Sequence, residues 1–465
     1  MEESPMGLHS RFCTRSAGLR RCRRHRLGIS EGLSHSLLVL FTLLSPQLGF
    51  GAAPDVRVSL QRSPGEIHWR AKSWQIKDAA SFARRGDKDT KFSLRWLNSD
   101  TVLTIASPGS KFSSRVELPL EVTTDNGEAG EVGFLPPRVV IRFHEGTFQM
   151  IGLMSLNDYL LGVLTKEMSD RWPVEALKAQ AVAARSYTLA QIEKRSAEDF
   201  DVEASIMDQE FAWVRDRSSE SAQRWWQMIQ ETEGQVLKSP EGKVFKAYYH
   251  SDCGGQTTTP ETVWGAADHY DAVSDSVCSE RTSNSWRVTL AKGNIARLLG
   301  ISLNSLKPAP PQTKLGFQFD WVRSPFDERV TLVEWRLSPE EGQLLTGQNF
   351  RQMIGFQKIK STRFHAQDLG DRILFVGRGF GHGVGLCQWG SRDWALRGWT
   401  AEQILHHYYP QAQLIRLAVE QEPKSLACDP GDSRRPSSLP RCGKNLPTPG
   451  VPVSRVSNRI MPIRR

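Results

Sequence analysis

The chain has 465 residues and a formal net charge of +9, from 60 Lys and Arg against 51 Asp and Glu. Residues 1–30 carry +5 and residues 421–465 carry +6, which leaves −2 for everything between. A near-neutral middle excludes a nucleic-acid groove, because such a groove needs basic side chains on the folded surface to displace counterions.

The N-terminal charge has its own explanation. A basic segment ending in Arg20-Arg21-Cys22-Arg23-Arg24 precedes the apolar run Leu37–Leu44 and then the small residues Gly51-Ala52-Ala53. That order is expected of a secretory signal over residues 1–53, and the run is too short to span a bilayer comfortably. Export to the periplasm or cell envelope follows as an expectation, with membrane attachment only through an uncleaved signal anchor.

From residue 54 to 137, short apolar runs alternate with Gly, Ser and Asp, as in Phe92-Ser-Leu-Arg-Trp-Leu97 and Thr101-Val-Leu-Thr-Ile105, which predicts a small β-rich region. A second unit is expected over 138–418. It opens with the strand Arg138–Phe143, a turn at Glu145-Gly146 and the strand from Phe148. Ser155 then sits where its oxygen can accept a first-turn N–H, and Leu156, Leu160, Val163 and Leu164 recur at helical spacing. Glu167 falls near the end of that helix. A second helix is expected from Pro173, in the first turn, through an alanine-rich stretch holding Gln180 and Arg185. Another helix spans about Ser219–Thr232, followed by a hairpin: Gln235–Lys238, a Ser-Pro-Glu-Gly turn at 239–242, and Lys243–Tyr249. Residues 288–370 read as an α+β subregion. From 419 to 465 the chain is basic, proline-rich and aperiodic, the composition of a disordered tail.

Three groups carry chemistry. Glu167, flanked by Leu164, Met168 and Trp172, is a carboxyl whose partial desolvation would raise its pKa into the range of a general acid; the alternative is an exposed glutamate at a helix end. His250-x-x-Cys253 with Cys278 offers three zinc ligands, against a simple Cys253–Cys278 disulfide. The loop Gly377–Gly390 surrounds His382 with glycines that let a ligand approach the main chain, yet it lacks the lysine of a phosphate loop.

These segments resemble the sporulation stage II protein D / amidase enhancer (SpoIID/LytB) family. The resemblance lies in Tyr159-x-x-Gly-Val-x-x-x-Glu167-Met, in Trp172-Pro-x-Glu-Ala-Leu-Lys-Ala-Gln180-Ala-Val-Ala-Ala-Arg185, and in His250-Ser-x-Cys253-Gly-Gly. It continues in Val263-Trp-Gly, Phe350-Arg351-x-x-Ile-Gly and Gly379-x-Gly-His382-Gly-Val-Gly-Leu-Cys-Gln388-Trp-Gly. It covers about residues 138–415.

The resemblance implies an α+β SpoIID-like catalytic domain acting on peptidoglycan glycan strands as a lytic transglycosylase. It makes Glu167 the single acid/base, with Gln180, Arg185, His382 and Gln388 as candidates for binding substrate or supporting the groove, and Arg185 equally a candidate for a buried structural donor on its alanine-rich helix. It also implies a structural zinc ion near His250, Cys253 and Cys278. Some relatives are amidase enhancers, which gives the alternative of a non-catalytic glycan-binding module that recruits a cell-wall amidase.

Overall fold

The computed structural model describes residues 55–205, 207–266, 270–300, 318–336 and 342–417. The expected signal segment and the basic tail lie outside the described residues. The rest mixes helices and strands, an α+β protein as expected.

Residues 55–155 are almost entirely strands. Their alternating burial, for example in Glu66–Ala71 and Leu120–Thr124, turns one face of each strand inward. Six strands form one antiparallel sheet. The second sheet has seven, in the order 202–203, 55–64, 147–155, 138–144, 120–124, 74–77, 83–86. Ile67, Trp69, Phe92, Leu94 and Leu103 of the first share a core with Ile76, Leu120, Val122, Ile141, Phe148 and Met150 of the second. Burying each such side chain contributes about 1.5–3 kcal/mol. The seven-stranded sheet draws strands from both sides of residue 137. Arg138–His144 pairs with Leu120–Thr124 on one edge and with Thr147–Ser155 on the other. The boundary expected between residues 137 and 138 is therefore crossed by backbone hydrogen bonds.

Ser155 ends the last strand and caps helix α1 (Leu156–Glu167), its Oγ accepting the Asp158 N–H at 3.2 Å. Helix α2 (Val174–Lys194) starts one residue later than expected, with Pro173 at the N-cap, where its missing N–H is not needed. Alanines make α2 thin enough to be buried on opposite sides. Ala176, Ala181 and Ala184 join the core with α1, while Ala179, Val182 and Ala183 join the core of Leu386, Ile404, Leu405 and Tyr408. Helix α3 (Glu220–Glu231) is capped by Ser219 and packs on α1 and α2.

The hairpin expected after α3 is cut short. The turn at 239–242 forms, with the Gly242 N–H donating to the Ser239 carbonyl at 2.9 Å. However, Gln235–Lys238 takes Gln413–Arg416 as its partner strand, and Tyr249–His250 pairs in parallel with Leu386–Cys387. The hairpin's own pairing ends at Phe245, whose N–H donates to the Leu237 carbonyl at 2.8 Å, and the long-range pairing beyond it brings His250 beside the glycine loop. Downstream, two three-stranded sheets and the helices Lys292–Leu298 and Gly347–Ile354 share a core of Trp286, Ile295, Val333, Phe350, Phe364 and Phe375.

Candidate active site

Glu167 is the last residue of α1. The segment 208–212 crosses this helix at Gly162, where an added Cβ would stand 2.3 Å from the Phe211 ring and 2.7 Å from the Ala212 carbonyl. Glycine is thus needed at 162 for close approach, and that approach lays Gln209 and Glu210 beside the end of α1.

Three donors reach the Glu167 carboxyl. The Gln388 side-chain amide donates to Oε2 at 3.1 Å, the Tyr249 hydroxyl to Oε1 at 3.5 Å, and the Glu210 backbone contributes a further hydrogen bond. Tyr249 is itself held, since Gln209 Nε2 donates to its oxygen at 2.8 Å, and Gln209 Oε1 accepts from Tyr159 and Thr188 at 3.0 Å each. Burial pushes the Glu167 pKa up to about 7; the Gln388 hydrogen bond opposes this, and the nearby Glu210 charge adds to it.

Glu167 opens into a cavity of about 260 Å³ that it shares with Glu210, Tyr249, His250, Arg351 and His382. This cavity continues through Tyr249, His382 and Phe356 into a second of about 330 Å³ whose walls include Tyr187, Lys246, Tyr248 and Trp264. Phe380 is also shared with a third of about 310 Å³ lined by Trp286, Lys360 and Trp389. Glu167 therefore lines a cavity that adjoins two others carrying aromatic side chains.

The glycine loop shapes this site by close packing. Its glycines make room for the protein's own groups. A Cβ on Gly385 would stand 2.0 Å from the Tyr248 carbonyl, one on Gly383 would stand 2.4 Å from the buried Arg329 guanidinium, and one on Gly381 would meet the His250 Cβ at 2.8 Å. All three glycines have positive φ. His382 accepts the Val384 N–H at its Nδ1 at 3.1 Å, and burial holds its pKa well below the ordinary histidine value, so it lines the cavity as a neutral ring.

Of the expected substrate-binding residues, His382 and Gln388 reach this region, whereas Arg185 and Gln180 do not. Arg185 is buried with its guanidinium donating to the Thr232, Gln235 and Ile229 carbonyls at 2.8–3.2 Å, which ties α2 to the end of α3. Gln180 is fully buried on α2 and lines none of the three cavities described above. An alanine-rich helix placed at the centre of the fold has no solvent face to offer either residue.

The expected ligand set also needs correction. His250 Nδ1 donates to the Val384 carbonyl at 3.0 Å and its ring turns to the Glu167 cavity, where burial lowers its pKa to about 3. The cysteines instead meet a carboxylate. Cys253, Asp275, Cys278 and Cys387 are all buried, with one ligand atom from each lying within 4.8 Å of the others. Asp275 is the N-cap of the short helix that carries Cys278, so it is positioned by its own backbone. The three thiols are free.

The Cys387 and Cys278 sulfurs stand 3.9 Å apart, far beyond the roughly 2.05 Å of a disulfide. That spacing matches the edge of a tetrahedron with metal–sulfur bonds of about 2.3 Å, which comes to about 3.8 Å. Backbone N–H groups of Cys253 and Gly390 point at the Cys387 sulfur, each at 3.3 Å. Burial raises Cys253 and Cys387, while hydrogen bonds from those two thiols lower Cys278. The buried Cys/Asp group can bind a metal.

A family model described as Stage II sporulation protein matches residues 144–238, the stretch that holds α1, α2 and Glu167. The chain carries a domain of the SpoIID/LytB family. Stage II sporulation protein D of Bacillus subtilis is 25% identical over 305 residues, covering 63% of this chain and 84% of the relative. An uncharacterised protein of Brachyspira hyodysenteriae is 28% identical over 301 residues, 63% of this chain and 74% of its own length. A protein named Amidase enhancer, also from Bacillus subtilis, is 25% identical over 295 residues, 55% of this chain and 40% of the relative. These alignments extend well beyond the matched SpoIID segment.

Proposed function

We propose that this protein is exported and acts on the bacterial cell wall, cleaving peptidoglycan glycan strands as a lytic transglycosylase. The observation that carries the reading is Glu167: a recessed carboxyl, held by Gln388 and Tyr249, with its pKa raised to about 7 in a cavity lined by Tyr249, Phe356, Phe380 and His382. Near neutrality such a group exists in both protonation states, as an acid that must also serve as a base requires.

In the proposed reaction the glycosidic bond between N-acetylmuramic acid and N-acetylglucosamine lies over Glu167. The protonated carboxyl gives its proton to the bridging oxygen as the C1–O bond breaks, releasing the glucosamine 4-hydroxyl. The resulting carboxylate then takes the proton of the muramyl 6-hydroxyl as that oxygen bonds to C1, closing a 1,6-anhydro ring and restoring the acid. Water takes no part. Gln388 and Tyr249 hold the carboxyl in place through both steps, and their hydrogen bonds stabilise its charged form between them.

Cys253, Asp275, Cys278 and Cys387 would hold a zinc ion as a closed structural site. Cys387 directly precedes Gln388, so when bound the ion supplies a fixed anchor for the residue that positions Glu167. The test is digestion of purified glycan strands by the wild type and by Glu167→Gln, which keeps the shape and removes the proton. Loss of cleavage in the variant supports the reading, and equal cleavage ends it.

The relative named Amidase enhancer favours a second reading, a glycan-binding module that recruits a cell-wall amidase. Binding of strands without cleavage by either protein, together with stimulation of an added amidase, would select it.

A further inference from the structure

Arg351 sits on the helix Gly347–Ile354, is 4% exposed, and lines the same cavity as Glu167, His250 and His382. Its Nε donates to the Ile359 carbonyl at 2.9 Å, its Nη1 reaches Gln348 Oε1 at 3.5 Å, and its guanidinium lies over the Phe356 ring at 4.4 Å. Nη2 donates to no group among the described residues, and no described carboxylate stands within ion-pair distance of the guanidinium.

Three acids line the same cavity, Glu167, Asp208 and Glu210, and none of them is ion-paired with Arg351. Asp208, in the same cavity, is paired with Arg195 at 2.6 Å, and Glu210 is exposed. The other buried arginines differ. Arg185 is surrounded by carbonyls, and Arg329 has two carbonyls with Asp327 at 3.7 Å. A buried cation without an acid is costly unless a partner arrives, and a guanidinium edge facing a sugar-sized cavity is suited to a carboxylate. Burial lowers its pKa only to about 9, so it remains charged at neutral pH.

Resting on the glycan reading above, we propose that Arg351 binds a carboxylate carried by the muramyl residue and thereby sets the register of the strand over Glu167. N-acetylglucosamine is uncharged, whereas the muramyl lactyl ether ends in a carboxylate or in a peptide that bears carboxylates. A fixed cation in this cavity therefore separates the two alternating sugars, which stacking on aromatic rings cannot do. One register brings the muramyl C1 to the acid, and the other leaves the guanidinium unpaired.

The test uses the full-length Glu167→Gln protein, so that strands bind without turnover, and titration calorimetry with four tetrasaccharides. These are chitotetraose, the peptide-free alternating tetrasaccharide, its lactyl methyl ester, and the peptide-bearing form. The expected result is at least tenfold tighter binding of an acid-bearing tetrasaccharide than of chitotetraose, in line with a charge-assisted hydrogen bond to a desolvated partner. Adding Arg351→Gln removes that preference, and Arg351→Lys retains part of it.

Tight binding of the peptide-free acid but not its ester assigns the lactyl carboxylate. Preference for the peptide-bearing form alone assigns a stem carboxylate. Equal affinity for all four tetrasaccharides overturns the proposal and leaves the glycan reading intact, and this comparison needs no arginine variant to fold. Binding of none of the four by a folded protein removes both.

Discussion

Gln388 donates its side-chain amide to Glu167 at 3.1 Å across a sequence separation of 221 residues, which makes the end of helix α1 and the glycine loop one site. Because this hydrogen bond stabilises the carboxylate, its removal raises the Glu167 pKa. For Gln388→Leu we predict that the alkaline limb of kcat/KM, set by loss of the Glu167 proton, moves above its wild-type position near pH 7. The rate at the optimum falls about 10- to 100-fold as the carboxyl loses its orientation. A pH–rate profile checks both effects, and an unmoved limb would detach Gln388 from the acid.

Glu210 acts in the opposite direction. Its charge raises the Glu167 pKa, so Glu210→Gln shifts the alkaline limb to lower pH while cleavage persists below pH 6. If Glu210→Gln were instead as inactive as Glu167→Gln, two carboxylates would be required, and hydrolysis by an acid–base pair would replace the intramolecular reaction.

Glu167 also carries a stability signature. Its folded-state pKa is raised from 4.5 to about 7, so the folded chain holds this proton more tightly than the unfolded one. The carboxyl therefore lowers stability as pH rises from about 4.5 through 7, and below 4.5 it imposes no such penalty. At about 1.36 kcal/mol per pH unit the ceiling is about 3 kcal/mol, less what solvent at the cavity mouth screens. Denaturant titration should find Glu167→Gln more stable than the wild type at pH 8 and equal to it at pH 4. Equal stability at both pH values would place the carboxyl in bulk water.

The metal site predicts a change in composition. Protein expressed with zinc should carry one ion per chain by elemental analysis. Cys387→Ser or Asp275→Ala should drop this well below one, and chelation should lower the thermal midpoint of the wild type but not of the variants. A metal-free wild type with cysteines linked by disulfides would contradict it.

Legibility in the sequence followed the range of the interactions. Helix α1, its Ser155 cap and the position of Glu167 at its end were readable because helical periodicity and capping act within a few residues. The hairpin after Gln235 forms only near its turn, because beyond Phe245 the chain pairs instead with a strand from far along the sequence. Arg185 and Gln180 stand in a conspicuous motif, yet nothing in a single helix shows that both its sides are covered. Tyr249, Gln209 and Glu210 carried no signal, since the crossing at Gly162 that places them exists only in three dimensions. Asp275, three residues before Cys278 at a cap position, and Cys387, inside the glycine loop, were findable as ligands once His250 was no longer assumed to be one.

The most direct test of the account is digestion of peptidoglycan strands in ¹⁸O-labelled water, followed by mass spectrometry of the new chain ends. The account predicts 1,6-anhydro muramyl ends without label from the wild type and none from Glu167→Gln. Reducing ends carrying one ¹⁸O would show that water attacks the sugar, and would contradict it.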